Sequence, residues 1–199
     1  MSGATLKYRE EDEVVLPWNS VEEYLAAEAA AVEKHEYAGG AVVSMAGATE
    51  THEVIAGNLH GLLWSSLKGK PCRVFKSDLK LRVRLLENTY FYYPDLMVAC
   101  DPDDKESPLF KDRPLVLIEV TSPSSKDRDT ETKVFAYMSI PSLRSYFIVS
   151  QEHRHIIHYR RTDEGWTMSV HPEAGDRVEL PELGLTLTLD EIYDRVGIA

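Results

Sequence analysis

Two short stretches decide the fold class of this chain: Tyr93-Pro94-Asp95, and the apolar run Leu115-Val116-Leu117-Ile118-Glu119-Val120-Thr121. The run has the β-branched composition of a strand, and the two-residue period of a strand puts Glu119 among apolar neighbours on one face. A carboxylate there is costly unless it is ion-paired or bound to a metal ion. Acidic residues on two neighbouring strands offer the hard oxygen ligands that Mg²⁺ prefers, whereas a buried structural ion pair is the competing interpretation.

Length and composition predict one domain with a substantial core, since the chain has 199 residues, of which 43% are hydrophobic and 28% charged. We expect residues 1–16 to be frayed or disordered and residues 17–199 to form the single domain. No apolar run reaches membrane-spanning length, and the polar start is unlike a signal peptide. Cys72 and Cys100 indicate neither a metal pair nor a disulfide framework, so we expect a reducing, cytoplasmic location.

The net charge of −11 argues against a protein that coats nucleic acid nonspecifically, because such proteins are normally basic. It leaves a nuclease open. Catalytic carboxylates add negative charge, and bound divalent cations offset that charge locally.

The polar and apolar periodicity predicts alternating helices and strands. A capping box at Ser20 begins a helix that we expect to reach His35, Thr49 caps a second helix that ends before Gly69, and residues 129–138 form a third. The predicted strands are residues 41–45, 74–84, 90–99, 115–121, 143–150, 154–160 and 166–170, and a leucine-rich end, residues 183–192, closes the domain. This order predicts an α/β (α+β-like) domain with a mixed central sheet flanked by helices.

An ordered set of motifs extends over roughly residues 20–195. Its members are Glu36, Gly39-Gly40, Met45, His52, Ser77-Asp78-Leu79-Lys80, Tyr93-Pro94-Asp95, Glu119-Val120-Thr121-Ser122-Pro123-Ser124-Ser125, Asp129, Lys133, Tyr137, Pro141-Ser142-Leu143 and Leu180-Pro181. With this set the chain resembles the Uma family of restriction endonucleases, within the PD-(D/E)XK nuclease superfamily. The resemblance implies a restriction-endonuclease-like core and hydrolysis of DNA phosphodiester bonds by a metal-activated water, with Mg²⁺ or Mn²⁺ as cofactor.

One position departs from the superfamily pattern, which has a lysine two residues after the glutamate where this chain has Thr121. Lys133 is a candidate replacement from the following helix, and the superfamily accepts such a migrated lysine. Asp129, Lys133 and Tyr137 share one helical face at four-residue spacing, and a turn at Pro123 would fold that face back towards the strand end. A surface ion pair between Asp129 and Lys133 is the alternative interpretation, and we expect Tyr137 to serve in packing.

The candidate catalytic residues are Asp95, Glu119 and Lys133, and the candidate metal ligands are Asp95, Glu119 and the carbonyl of Val120. In this hypothesis Lys133 orients or deprotonates the attacking water, or neutralises charge that develops on the phosphate.

Three further residues are possible members of the site. Asp78 would be an additional metal ligand. Glu36 is expected at the end of the first helix, where the helix dipole disfavours a carboxylate. His52, near the start of the second helix, lies either at the edge of the site or in the core as a satisfied histidine.

Lys80, Arg82 and Arg84 share a predicted strand face with Asp78, and we expect them to contact DNA phosphates beside the metal site. The alternative is a solvated strand edge whose basic residues pair with acidic neighbours across the sheet.

A catalytically silent nucleic-acid-binding or assembly module on the same fold is the second functional hypothesis. Thr121 and the acidic composition favour it. The retention of Asp95, Glu119 and Lys133 favours the nuclease, because a pure scaffold gains nothing from buried carboxylates. The expected partners are DNA and a second copy of the chain, and not a membrane.

Overall fold

Fourteen strands and four helices lie in the parts of the chain that the computed structural model describes, residues 15–16, 20–45, 47–121, 128–172 and 175–198. The helices are α1 (Val21–Glu28), α2 (Glu50–Leu67), α3 (Arg128–Met138) and α4 (Leu189–Ile192). The strands are β1 (Val15–Leu16), β2 (His35–Ala38), β3 (Ala41–Ser44), β4 (Arg73–Lys76), β5 (Lys80–Leu85), β6 (Asn88–Tyr92), β7 (Leu96–Ala99), β8 (Phe110–Lys111), β9 (Pro114–Thr121), β10 (Ser145–Ser150), β11 (Ile156–Thr162), β12 (Gly165–His171), β13 (Arg177–Leu180) and β14 (Leu185–Thr188).

The described strands form two six-stranded sheets and a hairpin of β13 and β14. The first sheet has the order β1-β3-β2-β6-β5-β8. The second has the order β12-β11-β10-β9-β7-β4, in which β9 and β10 are parallel and the other neighbours are antiparallel. The second sheet is therefore the mixed sheet that the sequence predicts, with β9 in its interior.

Helices cover both faces of strand β9. Val116, Ile118 and Val120 belong to the same buried cluster as the apolar face of α2. Leu117, which has the opposite parity, lies in a second cluster with Tyr137 of α3. The prediction of a mixed sheet flanked by helices is confirmed, and the alternation along β9 is its cause.

Helix α1 begins as predicted but ends early. Ser20 Oγ accepts from the Glu23 amide at 3.1 Å, and the Ser20 amide donates to the Glu23 carboxylate at 2.8 Å, which completes the capping box. The expected continuation to His35 is wrong, because residues 35–38 form strand β2 between β3 and β6. Val32, which lies within the predicted helix, is fully exposed, and pairing in the sheet outweighs local helix propensity here.

Two strands that the sequence predicts as continuous are each broken, and their halves join different sheets. The segment 74–84 divides into β4 and β5, and the segment 90–99 divides into β6 and β7. Pro94 has no amide hydrogen for a strand ladder, which accounts for the second break. Tyr93-Pro94-Asp95 is therefore the crossing point between the two sheets.

Cys72 and Cys100 are joined by a disulfide bond. The antiparallel pairing of β4 with β7 puts Arg73 opposite Ala99, so the residues just outside that pair are neighbours. The expectation that the two cysteines form no disulfide is wrong, because their pairing depends on strand register and not on their spacing in the sequence. These two cysteines therefore do not support the expectation of a reducing compartment.

Only the end of the expected frayed segment, residues 1–16, lies within the described ranges. Residues 1–14 lie outside the described ranges. Val15 and Leu16 pair with Val43 and Val42 of β3. Among the described helices, none is long and apolar enough to cross a membrane.

A buried histidine on β11 predicts acid sensitivity. His158 is 5% exposed, its Nε2 lies 3.0 Å from Ser145 Oγ, and burial together with the nearby His171 and Arg160 lowers its pKa to about 4. Because this pKa lies below the unfolded value, stability is present above about pH 6.5 and is lost as the pH falls towards 4. Between pH 7.5 and 4.5 we expect this one group to remove about 2–3 kcal/mol of unfolding free energy.

We expect the unfolding free energy of His158→Gln, whose side chain stays neutral, to fall by about 2–3 kcal/mol less than that of the wild type over this pH range. Urea unfolding at the two pH values measures the difference. An identical loss in both proteins would mean that His158 does not titrate in this way.

Candidate active site

Asp95 and Glu119 lie beside each other at the junction of β7 and β9. The antiparallel ladder pairs Leu96 with Ile118, so one further residue on each strand brings the two carboxylates together. Asp95 Oδ2 accepts from the Val120 amide at 2.7 Å. The side chains of Asp95 and Glu119 are 14% and 12% exposed. The two strands are neighbours, as the sequence predicts.

Helix α3 brings a lysine and a tyrosine to Glu119. The Tyr137 hydroxyl donates to Glu119 Oε1 at 2.8 Å, and Lys133 Nζ lies 3.8 Å from the same oxygen. Lys133 also donates to Glu36 Oε1 at 3.0 Å. The lysine is thus next to the glutamate although position 121 holds a threonine, as the migrated-lysine hypothesis requires.

Glu36 reaches the site from the first sheet. It is 7% exposed, and its Oε1 accepts from the Tyr93 amide at 3.1 Å as well as from Lys133. The prediction that Glu36 ends a helix is wrong, since it lies within strand β2, and the helix-dipole argument for it does not hold. Its carboxylate instead joins β2 to the segment that leads to Asp95.

His52 lies in the first turns of α2, after the N-cap Thr49, whose hydroxyl accepts from the His52 amide at 3.2 Å. Its Nε2 is 3.1 Å from Asp95 Oδ2, and its buried Nδ1 has no hydrogen bond in the part of the chain that the structure describes. The hydrogen bond to Asp95 raises the pKa of His52, although burial opposes the shift. His52 therefore contacts the site, which its position on the apolar stripe left undecided.

Three carboxylates, those of Asp95, Glu119 and Glu36, lie in one cluster with the ammonium of Lys133 and the imidazole of His52. Burial, with added repulsion from Asp95 and Glu36, raises the pKa of Glu119 above its usual range, although Lys133 acts in the opposite direction. Such repulsion between buried carboxylates is relieved by a bound cation.

The donor set fits a hard divalent cation. Among the described residues, Asp95 Oδ1 and Glu119 Oε2 accept no hydrogen bond, so each carboxylate has an oxygen left for a ligand. Within the same ranges there is no group of three or more His, Cys, Asp or Glu side chains that could hold a metal ion. The fit therefore depends on two carboxylates, a main-chain carbonyl and water, and Mg²⁺ commonly keeps several waters.

Asp78 is not part of this cluster. It lies in the turn before β5, its side chain is 87% exposed, and its carboxylate pairs with Lys34 at 2.5 Å. The expectation that Asp78 shares the strand face of the basic residues is wrong, because the predicted strand breaks at this turn.

The expected basic strip is occupied by interactions within the fold. Arg82 donates to both carboxylate oxygens of Asp112 at 2.7 Å and also pairs with Glu106. Arg84 lies 3.3 Å from Glu106. Lys80 is buried, with its ammonium 5.2 Å from the centre of the Tyr93 ring. The alternative interpretation, ion pairing with acidic neighbours, describes the two arginines.

Tyr137 is the site residue that sequence reasoning assigned to packing. Its four-residue spacing from Lys133 was the available signal, because residues four apart on a helix lie on one face. Lys133 also lies 5.5 Å from the centre of the Tyr92 ring. The proposed turn at Pro123 lies outside the described residues, and so does the side chain of Asp129.

A mixed sheet covered by helices, with an aspartate at one strand end and a glutamate on the adjacent strand, defines the restriction-endonuclease-like class. The family model Uma2, described as "Putative restriction endonuclease", matches residues 21–190. The chain belongs to this family.

Relatives of known sequence and structure are similar over most of the chain. "Uncharacterized protein slr1290" of Synechocystis sp. is 37% identical over 177 residues, which cover 89% of this chain and 92% of that protein. "Uncharacterized protein sll1609" of the same organism is 31% identical over 155 residues, covering 74% and 84%. A crystal structure of "a putative nuclease belonging to DUF820 from Anabaena variabilis" superposes with a TM-score of 0.67 at 18% identity, over 86% of this chain and 96% of that one. This last likeness supports the fold.

Proposed function

We propose that this protein is a divalent-metal-dependent endonuclease that hydrolyses phosphodiester bonds of DNA. The observation that carries the proposal is the meeting of Asp95, Glu119 and Lys133 at one point, with Lys133 Nζ 3.8 Å from Glu119 Oε1. Two carboxylates and a lysine on adjacent elements are the groups that hydrolysis of a phosphodiester needs. Membership of a family described as restriction endonucleases supports DNA as the substrate.

Asp95, Glu119 and the carbonyl of Val120 would hold Mg²⁺ or Mn²⁺, which when bound supplies a Lewis acid and lowers the pKa of water. The protein residues around them keep the carboxylates in place. The Tyr137 hydroxyl holds one oxygen of Glu119, and the Val120 amide and His52 hold one oxygen of Asp95. Side chains that are restrained in this way lose little freedom when they bind a ligand.

Lys133 supplies the positive charge that Thr121 cannot. Its pairing with Glu36 at 3.0 Å fixes the ammonium beside Glu119 in a setting where only 12% of the lysine side chain is exposed. There it orients the attacking water or stabilises negative charge on the phosphate, and both interactions strengthen when water is excluded.

The second candidate is a catalytically silent nucleic-acid-binding or assembly module. Thr121 and the net charge of −11 favour it. It leaves unexplained why two poorly solvated carboxylates lie next to one lysine with Asp95 beside them, since charges that neither bind nor react are a net cost in such a setting.

Metal titration separates the two functions. We expect calorimetry to detect Mn²⁺ binding to the full chain, and the same protein to nick or linearise plasmid DNA with Mg²⁺ or Mn²⁺ but not with EDTA. Glu119→Gln should lose the metal signal, whereas Glu164→Gln, an exposed carboxylate in a turn, should keep it. Absence of both metal binding and cleavage would identify a silent module.

A further inference from the structure

A cleft with basic walls begins one strand away from the candidate active site. It has a volume of about 500 Å³, and its lining includes His60 of α2, Arg73 and Lys76 of β4, and the later residues Asp78, Pro108 and Lys111. Strand β4 is the edge strand of the second sheet. We call this feature the β4 cleft.

The position of the β4 cleft relative to the candidate site follows from strand and helix geometry. Lys76 pairs with Leu96, the residue directly after Asp95. His52 contacts Asp95, and His60 lies eight residues further along α2, which corresponds to about 12 Å along the helix axis. The end of the cleft at Lys76 is therefore close to Asp95 on the neighbouring strand, and the cleft extends from there along the edge strand β4.

Two cations of the β4 cleft, Arg73 and Lys76, are available to a ligand, whereas the Lys111 ammonium donates to the Asp104 carbonyl. Arg73 and Lys76 are exposed, and neither has an ion pair within the described ranges. Asp78 is the one acidic side chain in the lining, and Lys34 pairs with it. Burial and the neighbouring Lys76 lower the pKa of His60, so that we count it as a neutral donor or acceptor.

A locally positive cleft on a chain of net charge −11 is complementary to an anionic partner. Arg73 and Lys76 are three residues apart on β4, so their side chains leave opposite faces of the strand: Lys76 shares the face of Val74, and Arg73 shares the face of Phe75. Because β4 is an edge strand, the two charges flank the edge of the second sheet, about 10 Å apart along the strand. A polyanion that crosses this edge can contact both side chains, whereas a single small anion matches diverging side chains less well.

We propose that the β4 cleft binds the phosphate backbone of DNA on one side of the bond to be cleaved, with Arg73 and Lys76 as the main contacts. This inference rests on the proposed nuclease function. In this proposal the β4 cleft, and not the β5 residues Arg82 and Arg84, is the basic surface with which the acidic protein binds DNA.

The test measures binding separately from cleavage. A fluorescein-labelled duplex is titrated with Lys133→Ala protein, to slow cleavage, in Mg²⁺ at several salt concentrations. We expect the added pair Arg73→Ala and Lys76→Ala to weaken binding at least about tenfold near 0.1 M salt. The slope of log K against log salt should fall by about one to two units, since two phosphate contacts are lost.

The matched control is the pair Arg144→Ala and Arg177→Ala, which removes the same charge from exposed positions outside the cleft. Arg144 precedes β10 at the end opposite Thr121, because Thr121 pairs with Ser150. If both pairs weaken binding equally, or if neither does, the cleft proposal is overturned. Displacement of the duplex by inorganic phosphate beyond the effect of its ionic strength would indicate a small-anion pocket and also overturn it.

The same measurements distinguish failure of the cleft proposal from failure of the proposed function. If the wild type cleaves DNA, and the Arg73→Ala and Lys76→Ala pair changes neither cleavage nor binding, the cleft proposal alone is overturned. DNA binding that depends on Arg73 and Lys76, in a wild-type chain that neither binds metal nor cleaves, would support the cleft and reject the nuclease.

Discussion

Asp95→Asn and Glu119→Gln will each lower metal-dependent cleavage of DNA by about 10³-fold or more while the chain stays folded. A neutral amide cannot replace an anionic ligand, and losing several kcal/mol of metal-derived stabilisation corresponds to a rate loss of this size. Initial rates on a labelled duplex with saturating Mn²⁺ measure the effect. Wild-type cleavage by either variant would reject the metal-site assignment.

The fold should survive these substitutions because they relieve repulsion. Burial, Asp95 and Glu36 already raise the pKa of Glu119, which shows that its charged form is disfavoured without a cation. We therefore expect the melting temperature in EDTA to be unchanged or higher in Glu119→Gln. A lower melting temperature would indicate that Glu119 serves mainly as an ion-pair partner of Lys133.

Lys133→Ala will lose at least about tenfold in cleavage rate, the low side of the ~10²–10⁴ typical of one positioned catalytic group. Metal affinity should persist because lysine is not a ligand, so calorimetry and cleavage should give different answers for this variant. Lys68→Ala, at the exposed end of α2, is the matched control and should cleave normally. Loss of metal binding in Lys133→Ala would mean that the lysine organises the carboxylates and has no separate role.

Thr121→Lys provides a rescue test for the same residue. Position 121 follows Glu119 by two residues, so its side chain is directed to the same face of β9. If Lys133 has taken over the vacated position, adding Thr121→Lys to Lys133→Ala should restore part of the rate. The rates are compared per folded molecule, because Lys133→Ala also leaves the buried Glu36 without its lysine.

Local pattern was sufficient for much of the fold. The capping box at Ser20, the N-cap at Thr49 and the strand around Glu119 were each predicted from neighbouring residues, and the structure has all three. These features depend on hydrogen bonds three residues apart or on a two-residue period, and both can be read directly from sequence. The juxtaposition of Asp95 and Glu119 followed once their strands were taken as neighbours.

Errors arose where long-range pairing outweighed local pattern. Residues 35–38 join a sheet instead of extending α1, and the segments 74–84 and 90–99 each divide between two sheets. The disulfide of Cys72 with Cys100 has the same origin, since it depends on the register of β4 against β7. The register between strands that are distant in sequence depends on which sheet faces become buried, and the sequence of one strand alone does not specify this.

The sequence by itself determined the fold class, the strand that holds Glu119, and the helical face that holds Lys133. Only the tertiary structure decided that Glu36 of the first sheet contacts Lys133 and that His52 contacts Asp95. It also decided that the arginines of β5 pair with Asp112 and Glu106. The physical reason is that hydrophobic periodicity and helix capping involve residues only a few positions apart in the sequence. Ion pairs and buried hydrogen bonds form between side chains that only the packing of both sheets brings within about 3 Å.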